Sequence, residues 1–268
     1  MTETTIAVLG LGEAGAAFAL DLVAAGAVVR GYDPAVTAPD GVINCTDEAD
    51  AVHTAELVLS VNRASAAIGA FRAAADRVGP GTVWADMNTA DPALERTLGS
   101  QAAERGVTFA DVSIMAPVPG RGLSTPLLAS GPGAPEVARL LGRYGATVAV
   151  LDGPAGAAAE RKLLRSVFYK GMSAAVVEAL AAARVVGLDD WLTEVISEEL
   201  TNSGAHSVER IVTGTNRHAV RRADEMEAAA KMLADLGVDH DIADASAALL
   251  RKIIGRARPT TDVGDLDA

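Results

Sequence analysis

The stretch Thr5-Ile6-Ala7-Val8-Leu9-Gly10-Leu11-Gly12-Glu13-Ala14-Gly15 decides the fold. An apolar, partly β-branched run breaks there into G-x-G-x-x-G and then into helical periodicity. A strand buried on both faces needs such a run. The first glycine permits a tight turn, the second lets backbone approach a pyrophosphate, and the third lets helix and strand pack closely. The following helix is predicted to present Ala14, Phe18, Leu22 and Ala25 on one apolar face and to stop at Gly26. Its free N–H groups would point at phosphates. A second strand, Val28 to Tyr32, completes the unit. Gly10, Leu11, Gly12, Glu13, Ala14 and Gly15 are therefore the expected contacts of a dinucleotide. The competing reading is an ordinary glycine-rich strand-to-helix turn.

The second strand ends in Gly31-Tyr32-Asp33-Pro34. Asp33 stands close to the spacing, about 20 residues past the glycines, at which an acid meets the adenosine ribose. A carboxylate there accepts hydrogen bonds from the 2′ and 3′ hydroxyls and repels a 2′-phosphate. No Lys or Arg between Pro34 and Ala51 would neutralise such a phosphate. NAD is thus the expected cofactor and NADP the less favoured one. Asp33 with Pro34 also suits a simple turn, since Asp-Pro is a common turn pair.

With 268 residues, 50% of them hydrophobic, the chain can bury a large core. Its net charge of -12 argues against unaided binding to nucleic acid or to an anionic membrane surface. The single cysteine, Cys45, excludes an internal disulfide and reads as a packed residue. The opening residues lack a basic segment followed by an apolar one, and no apolar run reaches the roughly 20 residues that span a bilayer. A cytoplasmic location is the expectation.

Short apolar runs alternate with alanine-rich helical stretches: Val42 to Asn44, Leu57 to Val61, Val83 to Asp86, Val107 to Val112, Leu127 to Ser130 and Val148 to Leu151. Such alternation means an α/β domain, a Rossmann-type doubly wound and mostly parallel sheet covered by helices. Past Asp152 the strand runs vanish. A helical pattern from about Ala155 to Val186 would be on the order of 45 Å long at 1.5 Å per residue, too long for one small domain. Further helices are predicted over Leu192 to Thr201, Ser203 to Thr213, Val220 to Leu236 and Asp241 to Ile254, with a frayed tail from Arg258. The expected plan is a dinucleotide-binding domain over 1–154 and an all-α domain over 155–268. A long leading helix with apolar faces to cover implies a homodimer through the C-terminal helices.

Ligands of open α/β sheets bind at the carboxyl ends of the strands, where three segments arrive. In Ser60-Val61-Asn62-Arg63, Val61 and Asn62 would line the cofactor. In Asp86-Met87-Asn88-Thr89-Ala90-Asp91-Pro92, Asn88 and Thr89 would meet nicotinamide or substrate, unless they merely precede a helix cap. The third, Asp111 to Gly122, reads as a long loop stiffened by prolines. Ser113, Met115 and Arg121 are its substrate-facing candidates, Arg121 offering a fork to an acidic group.

On the long helix, Lys162, Ser166 and Tyr169 fall on one stripe with Lys170 toward its side. A partly desolvated lysine near a positive nicotinamide would give up its proton readily and could exchange one with a substrate hydroxyl. A lysine on a long helix is otherwise a solvated residue.

These motifs resemble the β-hydroxyacid dehydrogenase family, the relatives of 6-phosphogluconate dehydrogenase. Gly10 to Gly15 is similar to its G-L-G-x-M-G, Asp86-Met87-Asn88-Thr89 to its D-x-S-T, and Gly156 to Lys162 to its glycine-led helix start. The segments Tyr169-Lys170-Gly171 and Arg221 to Glu227 look more like a branch with its own helical C-terminal domain. The resemblance implies Lys162 as general acid/base, with Asn88 and Ser166 orienting the substrate oxygen and Tyr169 and Lys170 near it. It implies hydride transfer between a small, acidic substrate and a nicotinamide cofactor. Two departures stand out. Where the family holds a carboxylate on serine and glycine amides, this chain has Met115-Ala116-Pro117, and proline has no N–H. The family's asparagine one turn past the lysine is Ser166.

Arg217, His218 or Arg222 offers a further partner for an anionic tail. Imine reductases resemble the same scaffold, but Lys162 and Asp33 count against them. A non-catalytic NAD(H) sensor is the other alternative. His53, His206, His218 and His240 have no metal-ligand spacing, so no metal is expected; Asp239-His240-Asp241 reads as a helix-start cap.

Overall fold

The structure, a computed structural model, describes residues 4–257. The tail from Arg258 and its expected fraying lie outside them. The chain divides into two compact units, the first ending at Arg165 and the second starting at Ser166. The division falls inside a helix that spans residues 157–185.

The first unit is built on eight strands: β1 (Thr5–Leu9), β2 (Val28–Tyr32), β3 (Ile43–Asn44), β4 (Leu57–Ser60), β5 (Val83–Asp86), β6 (Thr108–Ile114), β7 (Leu127–Ser130) and β8 (Val148–Val150). Their order is β3-β2-β1-β4-β5-β6-β7-β8. Every neighbouring pair is parallel except β6 and β7. The direction of strand order reverses between β1 and β4, which opens a crevice beyond their carboxyl ends. The doubly wound expectation holds. Alternate residues of β1 enter opposite layers: Ile6 and Val8 pack with Phe18 and Leu22, Ala7 and Leu9 with Phe71, Trp84 and Phe109.

The covering helices are α1 (Glu13–Ala24), α2 (Glu48–Val52), α3 (Ala64–Ala74), α4 (Pro92–Glu104) and α5 (Ala134–Gly142). The buried face of α1 is Gly15, Phe18, Ala19 and Leu22. Ala25 is not part of it, because the helix ends at Ala24 and Ala25 is its exposed cap. Cys45 is buried as expected. Strand β6 runs on to Ile114 because Ser113 and Ile114 pair with Leu128 and Leu127 of β7, so Ser113 belongs to the sheet and not to the loop.

α6 (Ala157–Val185) begins in the first unit and ends in the second. The second unit continues with α7 (Asp189–Thr201), α8 (Ser207–Arg217), α9 (Ala219–Asp235) and α10 (Asp241–Ala257). α9 and α10 pack through Ala219, Ala223 and Leu250. α8 starts four residues later than the pattern suggests, because the Ser203 hydroxyl donates back to the carbonyl of Glu199 and finishes α7. α10 begins at Asp241, so Asp239-His240-Asp241 does lie at the helix start, and the Asp244 amide donates to the His240 carbonyl. Glu178 of α6 accepts from the amides of Ile242 and Ala243, at 2.7 and 2.9 Å. Among the described residues no helix is long and apolar enough to cross a membrane.

One core position of α4 is anomalous. Glu95 shares a buried stripe with Leu98 and Ala102, and it is 0% exposed. Neither carboxyl oxygen has a hydrogen-bond partner. Burial, reinforced by Asp86, Asp111 and Asp91 and opposed by Lys162, pushes its proton affinity up to about 10, from an ordinary 4.5. The folded chain therefore holds this proton across a window in which the unfolded chain has lost it. Stability falls as pH rises through that window.

Glu95→Gln keeps the shape and removes the ionisation. It is expected to raise the unfolding midpoint, with a gain that grows between pH 5 and pH 8 by up to about 1.4 kcal/mol per pH unit. Urea unfolding at several pH values measures it, and a gain independent of pH contradicts the assignment. A second test concerns the glycines: a Cβ on Gly15 would lie 1.8 Å from the carbonyl oxygen of Gly10, whereas one on Gly12 meets nothing within 4 Å. Gly15→Ala should cost roughly 3 kcal/mol or more, because backbone cannot yield as a flexible side chain does. Gly12→Ala should leave the midpoint nearly unchanged.

Candidate active site

Two groups of residues meet at the carboxyl edge of the sheet. The first surrounds the crevice between β1 and β4. Gly10 takes φ +95°, and its N–H donates to the carbonyl of Tyr32 at 2.8 Å. A Cβ there would sit 2.4 Å from the Val61 carbonyl oxygen, so only glycine lets the turn lie against β4. Gly12 caps α1 with no side chain over the amides of its first turn, and its open face borders a cleft of about 580 Å³. Gly10, Gly12, Glu13, Ala14, Gly15, Asp33, Pro34, Val61 and Asn62 all line this cleft. Leu11 does not. Its side chain is buried against Gly31, and its contribution is an amide that donates to Asp33 Oδ2 at 2.8 Å.

Asp33 serves both roles weighed for it. Oδ1 accepts from the amides of Ala35 and Val36 at 2.8 and 3.1 Å, which makes the turn at Pro34, while the residue also lines the cleft. Arg63, which lies outside the cation-free stretch from Pro34 to Ala51, lines the cleft too. It was findable as the residue following Asn62 at the end of a strand.

The second group centres on Ser60, whose hydroxyl donates to Asp86 Oδ2 at 3.0 Å and accepts from the side-chain amides of Asn62 and Asn88, both at 3.3 Å. Asp86 also takes the backbone and side-chain N–H groups of Asn88, each at 3.0 Å. Burial, against these hydrogen bonds, raises Asp86 to about 6. The amide group of Asn88 is thereby fixed, with Nδ2 pointing at the carboxylate. Its Oδ1 is left buried without a partner.

Beside Asn88, the exposed Thr89 accepts a hydrogen bond from Lys162 Nζ at 2.9 Å. What brings the lysine there is Asp111. Its Oδ2 accepts from the amides of Gly156, Ala158 and Ala159 at 2.9, 3.1 and 3.1 Å, and from the Ser130 hydroxyl at 3.1 Å. The carboxylate thus caps the start of α6 from the neighbouring strand, where the helix dipole favours negative charge. Burial raises its proton affinity, and these donors counter the rise. Gly156 takes φ +95° at this junction, with the Pro92 carbonyl where a Cβ would be. Sequence reading treated Asp111 only as the head of a loop; a lone acid inside the apolar run Phe109 to Val112 was the available signal.

The remaining candidates are dispersed. Ser113 is buried in β6 at 1% exposure. Met115 is half-buried, and Arg121 is exposed ahead of a short 3₁₀ turn, Gly122–Ser124. Ser166, Tyr169 and Lys170 lie on α6 past the division between the units, Ser166 half-buried and the other two exposed.

The pieces fit a dinucleotide. A glycine cradle open on one side, uncapped helix amides, a carboxylate beside the cleft and a fixed amide with an orphaned oxygen are the features such a ligand uses. Residues 5–151 match the family model for the NAD binding domain of 6-phosphogluconate dehydrogenase, and residues 183–253 match a domain of unknown function, DUF1932. An NAD-dependent L-serine dehydrogenase of Pseudomonas aeruginosa is 27% identical over 256 residues, covering 90% of this chain and 86% of that one. A probable 3-hydroxyisobutyrate dehydrogenase of Mycobacterium tuberculosis is 30% identical over 195 residues, covering 69% and 66%. Among solved structures, a conserved protein of unknown function described as similar to 3-hydroxyacid dehydrogenases superposes with a TM-score of 0.60 at 27% identity, covering 94% of this chain and 97% of that one. An imine reductase from Myxococcus stipitatus in complex with NADP+ shares the fold, with a TM-score of 0.80 at 17% identity and coverage of 94% and 95%. The chain belongs to the family built on the NAD-binding domain of 6-phosphogluconate dehydrogenase, as an NAD(P)-dependent oxidoreductase of the hydroxyacid dehydrogenase type.

Proposed function

We propose that this protein moves a hydride between NAD(H) and the hydroxyl-bearing or carbonyl carbon of a small substrate, with Lys162 handling the proton. The observation that carries the reading is the 2.9 Å hydrogen bond from Lys162 Nζ to Thr89 Oγ1, one residue from the fixed amide of Asn88 at the carboxyl edge of the sheet. The nicotinamide ring, when bound, supplies or accepts the hydride.

The rest is the work of this chain. Gly10, Gly12 and the first amides of α1 hold the pyrophosphate, and Asp33 takes the ribose hydroxyls. Asn88 offers its unpartnered Oδ1 to an N–H or O–H group of cofactor or substrate. Lys162 takes the hydroxyl proton during oxidation and returns it during reduction, while the Thr89 hydroxyl holds Nζ in place. Ser166, one turn along the helix, orients the oxygen. Asp33 favours NAD over NADP, and Arg63 on the same cleft is the feature that favours the opposite.

We also infer a homodimer formed by the C-terminal helices. No residue of α7 or α8 is buried within this chain. Trp191, Leu200, Val208, Ile211 and Val212 are 59%, 51%, 71%, 56% and 54% exposed. A surface this apolar on two adjoining helices is covered most simply by its own copy.

Titration with NADH and NADPH is expected to show tighter NADH binding. Lys162→Ala should keep that affinity and lose turnover of alcohols or carbonyl compounds by about 10²–10⁴-fold. Preferred NADPH binding, with imine reduction indifferent to Lys162, overturns the reading. Gly12→Ala, harmless to the fold, should weaken NADH at least about tenfold, since a methyl group would stand where the pyrophosphate approaches backbone. For the assembly, light scattering should report a dimer for the native chain, and Ile211→Asp with Val208→Asp should yield a folded monomer; a native monomer refutes the inference.

A further inference from the structure

The strand order β2-β1-β4-β5 lays a dinucleotide out along the carboxyl edge of the sheet. Asp33 follows β2 on the adenosine side and the glycine turn follows β1, so the nicotinamide half falls beyond the ends of β4 and β5. Two side-chain amides stand there. Asn62 lies two residues past the end of β4, and Asn88 two residues past the end of β5.

Both amides converge on one hydroxyl. Ser60 is fully buried and pairs in register with Asp86, so it sits between two strand ends. A serine hydroxyl has one proton to give and two lone pairs to offer. All three are used: the proton goes to Asp86 Oδ2 at 3.0 Å, and the oxygen accepts from Nδ2 of Asn62 and Nδ2 of Asn88, both at 3.3 Å.

The two amides depend on Ser60 to different degrees. Asn88 has a second hold, because its backbone and side-chain N–H groups also reach the Asp86 carboxylate. For the Asn62 side chain, Ser60 is the hydrogen-bond partner found among the described residues. On its other side Asn62 Oδ1 lies against the glycine turn, where a Cβ on Gly10 would stand 2.9 Å from it. The amide is thus clamped between Gly10 and Ser60 while it lines the dinucleotide cleft, with its oxygen and one N–H left for a ligand. Asn88 adds the orphaned Oδ1. The nicotinamide half of a dinucleotide carries a carboxamide and ribose hydroxyls, which need donors and acceptors together. Oriented amides supply both.

We propose that Ser60 is a positioning residue for the nicotinamide half of the cofactor: without touching the ligand, its hydroxyl holds the Asn62 amide in the orientation that binds and ties it to Asn88. The proposal rests on the oxidoreductase reading above and assigns Ser60 a part in it. Asp86 aims the hydroxyl, and the hydroxyl aims Asn62.

The test compares NADH, titrated by its fluorescence, with ADP, titrated by displacement of NADH. ADP carries the adenosine half and two phosphates but neither the second ribose nor the ring. Ser60→Ala is expected to weaken NADH about five- to tenfold and to leave ADP within about twofold, the loss that follows when one neutral hydrogen bond no longer fixes a binding group. Asn62→Ala should do the same. The double variant should bind NADH no more weakly than either single one, because both substitutions remove the same interaction. Asp86 keeps the two N–H donors of Asn88 in Ser60→Ala, so the fold is expected to survive. Should it not, Ser60→Cys replaces the hydroxyl by a weakly hydrogen-bonding thiol and carries the same expectation. Equal weakening of NADH and ADP, or additive losses in the double variant, overturns the proposal, since Ser60 would then support the cleft as a whole. Unchanged NADH affinity in the folded Ser60 variant overturns it too and leaves the oxidoreductase reading standing. Native protein that fails to bind NADH overturns both.

Discussion

A single carboxylate under the end of a helix organises this molecule. Asp111 receives three amides from the start of α6 and one hydroxyl from β7, so sheet and helix meet at a point of fixed geometry. Removing that charge would leave the first turn of a buried helix end without partners, a loss of several hydrogen bonds at once. Two consequences follow from the position of the cap. α6 starts against α4, where Gly156 alone can pass the Pro92 carbonyl, and Lys162 arrives at Thr89 rather than in solvent. The chemical group is therefore placed by strand β6, not by the helix that carries it.

The cofactor side depends on steric rather than electrostatic constraints. Gly10 and Gly15 exist because backbone occupies the space of a side chain, and Gly12 exists because nothing does. Sterics and ligand approach thus separate cleanly along six residues. Between the two halves, Ser60 is the hinge of a small polar network: one hydroxyl joins Asn62, which lines the dinucleotide cleft, to Asn88 and Asp86, which adjoin the lysine. A change in the orientation of either amide would be felt by the other through two hydrogen bonds.

Local signals were legible and crossed contacts were not. The alternation of apolar runs yields the sheet, the glycine spacing yields the cleft, and helical spacing places Lys162, Ser166 and Tyr169 on one stripe, because each depends on residues near in sequence. Asp111 and Glu178 accept from amides at helix starts 45 and 64 positions away, separations that local spacing does not register. Ser113 looked like a loop residue because its pairing with β7 depends on where the chain returns after Pro126. Glu95 shows a different kind of failure. The acid sits in an apolar stripe and was readable, but an amphipathic pattern invites the reader to assign charges to the solvent face.

Glu95 also clarifies the field around the lysine. A helix N-terminus repels a cation, so Lys162, placed near the start of α6, would be disfavoured there by the dipole alone. Asp111 answers the dipole directly, and Asp86 and Glu95 lie close enough to interact with each other and with it. Three carboxyls cannot all ionise cheaply in a space closed to water. Asp86 and Asp111 each have several donors and can bear charge, while Glu95 has none and keeps its proton. Hydrogen-bond donors thus gather at Asp86 and Asp111, opposite one helix end and one lysine, and none reaches Glu95. The neutral acid costs stability as pH rises, while the donors around Asp86 and Asp111 offset part of the burial that raises both.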